Sequence, residues 1–281
     1  MLHYRVRNPG LANQLTISIA DWAVTLHLDD CDAATRARIA ARYAAFRAPA
    51  APPLLSVRVR VEPGDDFIPI AGVKTWQIRT AARDGRIEFE SHFEKGWVDR
   101  AAGQGELVLR PRGDIENYLR VLYAWFCLDH DSLLLHACGI IRDGRGYVFF
   151  GPSGSGKTTT ATLSSAHTIL SDDLVIVKKI ADEYRVFGVP FRGDLPEAPR
   201  TNAAAELRGV FALVKETRHY LTPLALPAAV AQLARCVPFV MAQPEHARRV
   251  TEICFDLATH VPVRTLHFCR DAGFWQVIDD S

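Results

Sequence analysis

The chain of 281 residues sets 33 Lys and Arg against 32 Asp and Glu, with 48% apolar and 23% charged residues. That is ordinary globular usage, which excludes disorder as the expected state, and the length suffices for one large domain or two modest ones. A formal net charge of +1 excludes a whole-molecule electrostatic footprint for nucleic acid or an anionic membrane.

The six cysteines, Cys31, Cys127, Cys138, Cys236, Cys254 and Cys269, are scattered without a C-x-x-C pair. A zinc site of closely spaced ligand pairs or a disulfide scaffold would look different, so the expectation is free, mostly buried thiols in a reducing compartment. The opening MLHYRVRNPG lacks the apolar core of a signal peptide. No uncharged apolar run approaches the ~20 residues that span a bilayer. A soluble, cytoplasmic protein is expected, with neither nucleic acid nor membrane as partner.

In chain order, the first elements are mainly β. A helix is expected over 31–46, CDAATRARIAARYAAF, with Asp32 or Cys31 near its start. SVRVRVEP (56–63), TWQIRTAA (75–82), RIEFESHF (86–93) and GELVLRPR (105–112) alternate as strands do, punctuated by Pro63-Gly64, Asp84-Gly85 and Gly103. From 114, DIENYLRVLYAWFCLDH puts Ile115, Leu119, Leu122, Tyr123, Phe126 and Cys127 on one helical face. SLLLHACGIIR (132–142), a turn at Asp143-Gly144, and GRGYVFF then read as a hairpin. Further strands are expected in TILSDDLVIVKK, RVFGVPFRGD, GVFALVKE and VPVRTLHF, and helices over 227–237 and 246–260. The boundary is placed near 113, giving a β-rich N-terminal domain (1–113) and a nucleotide-binding domain (114–281).

The chemistry begins at Gly151-Pro152-Ser153-Gly154-Ser155-Gly156-Lys157-Thr158, which fits G-x-x-x-x-G-K-[ST] at every fixed position. Glycines let successive backbone N–H groups turn inward and approach phosphates without Cβ atoms in the way. The helix expected after the loop offers the positive end of its dipole to the same anion. Lys157 supplies a mobile charge for the β- and γ-phosphates, and the Thr158 hydroxyl is placed to ligate Mg²⁺, with Thr159 completing the loop. The expected ligand is ATP with Mg²⁺.

Ser171-Asp172-Asp173 follows Lys157 within fifteen residues. One short helix fits between, so the strand before the loop and the strand before the aspartates are expected to be direct neighbours through one crossover. Two roles suggest themselves for the pair: one Asp holds Mg²⁺ with Thr158, the other takes a proton from an attacking hydroxyl. Solvated turn carboxylates are the plainer alternative, but apolar residues flank the pair on both sides and the loop lies just before it. A lone His on an apolar strand is more often a core residue than a catalyst. If the hairpin forms, though, His136 comes to the mouth of the phosphate site, where it could orient the catalytic Asp.

This order of His, glycine loop, short helix and Asp-Asp resembles HPr kinase/phosphatase. It is more similar still to the shorter HPr-kinase-like proteins associated with peptide modification, including lasso-peptide precursor kinases. The likeness covers about 115–275 and is carried by LLLHACGIIRDGRGYVFFGPSGSGKTTT, LSDDLVIV, GVPFRGD and VPVRTLHF. It implies an α/β fold of the HPr kinase / phosphoenolpyruvate carboxykinase type. It further implies Asp172 as general base with His136 beside it, Asp173 and Thr158 as metal ligands, and Lys157 on the β/γ-phosphates. Homo-oligomers are common among such relatives, though no coiled coil or interface stripe supports one here. Thr159 stands where HPr kinase/phosphatase has Glu after the loop's Ser, and the I-R-G-x-G-I-I segment is replaced by GVPFRGD. Neither dephosphorylation nor HPr as substrate is therefore carried over. Arg192 is a candidate contact to phosphate or acceptor, a surface loop residue being the alternative, and Arg200 is a weaker candidate of the same kind. Phe274 and Trp275 are expected to be packing residues.

The expected activity is γ-phosphoryl transfer from ATP·Mg²⁺ to a hydroxyl, a serine of a peptide or small protein. Transfer to free serine or another small alcohol stays open within the same class. A nucleotide-binding regulator or slow ATPase is the rival from another class.

Overall fold

The computed structural model describes residues 13–70, 76–191, 193 and 201–281. Arg192 and Arg200 lie outside the described residues. The chain divides into two compact units, Met1–Leu119 and Arg120–Ser281.

In the first unit β1 (Gln14–Ile19), β2 (Trp22–Asp30), β3 (Leu55–Val61), β4 (Ile78–Arg83), β5 (Arg86–Ser91), β6 (Glu94–Asp99) and β7 (Gln104–Leu109) form one sheet in the order β1-β2-β3-β7-β6-β5-β4. β3 runs parallel to both β2 and β7, while the other pairings are antiparallel. The four strands expected from alternation are β3, β4, β5 and β7. In β3 the pattern is clear, with Leu55, Val57 and Val59 buried and Arg58 exposed between them. Helix α1 (Ala33–Arg42) starts where Asp32 accepts a 2.7 Å hydrogen bond from the Thr35 N–H. Such a cap satisfies one of the helix's orphan donors. The helix is shorter than expected, because the chain tightens into a 3₁₀ turn at Ala44–Phe46 that buries Phe46.

The second unit contains most of α2 (Glu116–Asp129), then β8 (Ser132–Arg142), β9 (Arg145–Phe150), α3 (Lys157–Leu163), β10 (Thr168–Ser171), β11 (Leu174–Ile180) and β12 (Glu183–Phe187). It continues with β13 (Ala204–Lys215), β14 (Tyr220–Pro223), α4 (Leu226–Ala234), α5 (Pro244–His260), β15 (Val263–Phe268) and α6 (Phe274–Asp279). Together the two units make a mixed α/β protein with two sheets.

β8 and β9 form the expected hairpin, with Arg142 opposite Arg145 across Asp143-Gly144. Both turn residues have positive φ, +51° and +74°, as a two-residue turn matched to strand twist requires. The expected adjacency of the strand before the loop and the strand before the aspartates is corrected. Gly139, Ile140 and Ile141 of β8 pair with β9 on one side and with β10 on the other, so β8 lies between them. The eleven-residue β8 is long enough to hold β9 on one edge and β10 and β11 end to end on the other. The parallel neighbour of β9 is β13, which in turn runs parallel to β15. Because β11 pairs β12, β12 pairs β13 and β13 pairs β9, the pairings around β8 close on themselves.

β9, β13 and β15 therefore end at one edge of the sheet, the position where ligands gather in α/β folds with parallel strands. Behind that edge lies a core in which Phe149 stacks on Phe211 at 5.4 Å and Phe274 and Trp275 are buried, as expected of packing residues. Trp275 Nε1 donates to Ser164 Oγ at 3.0 Å, tying α6 to the end of α3. Among the described residues, no helix is long and apolar enough to cross a membrane.

Candidate functional site

The loop between β9 and α3 is shaped by its glycines. Gly154 and Gly156 have φ of +77° and +113°, values that side chains with a Cβ rarely adopt. Gly156 also lies against Phe268 at the end of β15, where an added Cβ would stand 2.6 Å from the ring. The loop closes through Ser155 N–H donating to Pro152 O at 3.1 Å, and α3 begins with Thr160 N–H donating to Gly156 O at 2.8 Å. Lys157 is buried and folds back over the loop, its Nζ donating to Gly151 O at 3.0 Å and Pro152 O at 3.4 Å.

Asp172 and Asp173 sit at the break between β10 and β11. The Ser171 hydroxyl accepts the N–H groups of both Asp173 and Leu174, each at 3.1 Å. This local cap, together with a register shift in β10, turns the chain so that adjacent carboxylates both reach the site. Asp172 is 4% exposed, and its Oδ2 accepts from Thr158 Oγ1 at 3.4 Å. Gly193 packs on it so closely that a Cβ there would lie 2.2 Å from Asp172 Oδ1. The Asp173 side chain is 21% exposed, with Oδ1 3.1 Å from His136 Nε2 and Oδ2 3.4 Å from Arg120 Nη2.

His136 stands beside Asp173 and Thr158 beside Asp172, whereas the resemblance implies His136 with Asp172 and Thr158 with Asp173. The register is the cause: His136 faces Leu174 across the β8–β11 pair, so the residue just before Leu174 is within its reach.

His136, Ser153, Gly154, Gly156 to Thr159, both aspartates and Lys215 line one cavity of about 380 Å³. A second cavity of about 580 Å³ shares Thr159 and Lys215 with it and continues along Glu216, Thr217, Phe268, Cys269 and Arg270. Two residues of this neighbourhood carry no signal in the sequence. Lys215 is the last residue of β13, and only the parallel pairing of β13 with β9 brings it to the loop. Arg120 lies on α2, its guanidinium 5.8 Å from the Phe191 ring centre and its side chain directed to Asp173. Cys138 and Cys236 lie near the site, and burial pushes both thiols up from their ordinary range. The first unit has a cavity of about 630 Å³ of its own, lined by Arg60, Phe67, Arg86 and Trp97 among others, which contains none of the residues singled out in the sequence.

Residues 115–280 match the model of a family described as SynChlorMet cassette protein ScmC. No curated protein matches the chain. Among solved structures, the Hpr(Ser) kinase/phosphatase from Coxiella burnetii is similar at 13% identity and a TM-score of 0.31, over 52% of this chain and 88% of that one.

Proposed function

The chain belongs to the SynChlorMet cassette protein ScmC family, and we propose that it is a kinase transferring the γ-phosphoryl group of ATP·Mg²⁺ to a hydroxyl, a serine of a peptide or small protein. One observation carries the reading. A loop lysine, the hydroxyl that follows it and two carboxylates with different partners line a single cavity.

The donor set fits Mg²⁺. Thr158 Oγ1 and Asp172 Oδ2 are hard oxygen donors 3.4 Å apart, close to the ~2.9 Å between adjacent ligands of an octahedral ion at 2.0–2.1 Å. Bound there, Mg²⁺ would neutralise charge on the phosphate oxygens. Lys157 can exchange its two loop carbonyls for phosphate oxygens without leaving the cavity. Lys215, which lines the same cavity, offers a second cation to the same anion. The adjoining cavity, beginning at Thr159, has room for the nucleoside.

In this proposal the roles of the aspartates are exchanged relative to the resemblance. Asp172, facing Thr158, serves the metal. Asp173 is the more exposed, and it is the one that takes the proton from the acceptor hydroxyl as the oxygen approaches phosphorus in line. His136 and Arg120 each hold one of its oxygens and so fix its orientation. The test is incubation of the protein with γ-labelled ATP, Mg²⁺ and a panel of serine-containing peptides and small alcohols, read by mass spectrometry. A phosphorylated acceptor is expected; nucleotide binding without transfer to any acceptor would favour a nucleotide-binding regulator instead.

A further inference from the structure

His219, Cys269 and Asp271 meet at one point outside the cavity that holds the aspartates. His219 Nε2 lies 2.7 Å from Asp271 Oδ1, and Cys269 Sγ lies 3.1 Å from His219 Nε2 and 3.1 Å from Asp271 Oδ2. Among the described residues this is the one place where three such ligand atoms converge. The topology brings them together. β15 pairs in parallel with β13 and antiparallel with β14, so the turn carrying His219 is set beside the residues that follow Phe268.

The arrangement is not that of a Cys-His-Asp relay. A relay uses the two ring nitrogens separately, one toward the nucleophile and one toward the carboxylate. Here Nε2 faces both the thiol and the carboxylate, and the thiol reaches the carboxylate directly. A supporting contact steadies the carboxylate: Gly273 N–H donates to Asp271 Oδ1 at 2.8 Å. Gly273 approaches so closely that a Cβ would lie 2.8 Å from Asp271 Oδ1 and 3.1 Å from His219 Nε2. The His219 side chain is 15% exposed and that of Asp271 63%, so the cluster has a protected base and an open side.

We infer that His219, Cys269 and Asp271 bind one Zn²⁺ or a similar borderline-soft divalent ion through Nε2, Sγ and a carboxylate oxygen, with solvent at the open side. One S, one N and one O donor suit zinc at about 2.0–2.3 Å, whereas Mg²⁺ and Ca²⁺ want oxygen alone. The ligand atoms, now in hydrogen-bond contact, need to part by only about half an ångström to reach tetrahedral spacing at those bond lengths. On binding, the Cys269 thiol gives its proton to solvent and the sulfur–metal bond replaces its hydrogen bonds. The ion would fasten together two segments that line the second of the two cavities beside the loop: Glu216 and Thr217 before His219, and Cys269 and Arg270 after β15.

Cobalt reads this site directly. The full-length protein, stripped of metal by a chelator, is titrated with Co²⁺ and then Zn²⁺. One equivalent of Co²⁺ should give a thiolate-to-cobalt charge-transfer band that Zn²⁺ displaces. The band should vanish in Cys269→Ser and persist in Cys236→Ser, and Co²⁺ affinity should fall at least about tenfold in Asp271→Asn. Asp271 is exposed, so that variant keeps the test alive if Cys269→Ser does not fold. Absence of the band in the unaltered protein, an equal band in Cys269→Ser, or unchanged affinity in Asp271→Asn would each overturn the site.

Discussion

His136 Nε2 stands 3.1 Å from Asp173 Oδ1, and strand register puts it there, because His136 is the β8 residue opposite Leu174. Most of β8 is buried, and His136 is its one exposed position. A residue that contacts the proposed base rather than the reacting atoms is a positioning residue. His136→Ala is expected to lower kcat roughly 10- to 100-fold with little change in KM for ATP. His136→Gln, which keeps a donor, should recover part of the loss. Steady-state kinetics on the three proteins checks this, and an equal effect on KM would place His136 in nucleotide binding instead.

Lys157 holds two carbonyl oxygens of its own loop and lines the cavity proposed to take the phosphates. Lys157→Ala should weaken ATP binding at least about tenfold, or about 1.4 kcal/mol. The ATP-dependent rise in melting temperature is the readout. A full thermal shift in the variant would contradict a phosphate role for the loop.

Gly156 combines a positive φ with contact against Phe268. Gly156→Ala should cost about 1–3 kcal/mol from backbone strain alone, with the ring contact adding to it. Denaturant unfolding of Gly156→Ala and of the double variant with Phe268→Leu separates the two causes. Partial recovery in the double variant is expected, since trimming the ring relieves the contact but not the φ.

Asp256 on α5 accepts from Lys179 Nζ at 2.7 Å and Tyr184 Oη at 2.6 Å, and those bonds hold its carboxyl below the usual range. A depressed carboxyl stabilises the fold above its unfolded pKa of about 3.9 and loses that contribution as pH falls through the folded value. The side chain is 42% exposed, so screening limits the ion-pair contribution to about 1 kcal/mol or less. Asp256→Asn should therefore be slightly less stable at neutral pH and equal to the unaltered protein in strong acid. Urea titrations at both ends of the range check the sign.

The parts of this protein legible in its sequence are the local ones. The glycine loop, the hairpin at Asp143-Gly144 and the turn at Ser171-Asp172-Asp173 each depend on a few neighbouring residues. The long-range parts were not legible. Nothing in SLLLHACGIIR says that it separates β9 from β10, and that placement, with its register, decides which aspartate His136 meets. Lys215 and Arg120 reach the cavity region through a strand pairing and a helix position far from the motif. β2 shows no alternation because its residues Trp22 to Leu26 are all buried, unlike those of β3. His219, Cys269 and Asp271 show no joint pattern for a related reason: the turn before β14 and the loop after β15 meet only through strand pairing.

The proposed chemistry turns on which aspartate takes the proton. Phosphoryl transfer from γ-labelled ATP should be measured for Asp173→Asn and Asp172→Asn across a range of Mg²⁺ concentrations. Asp173→Asn is expected to lose about 10²- to 10⁴-fold in transfer rate while ATP binding stays near normal. Asp172→Asn should instead need more Mg²⁺ to reach its maximum. Transfer that survives in Asp173→Asn, with ATP bound normally, would contradict that chemistry.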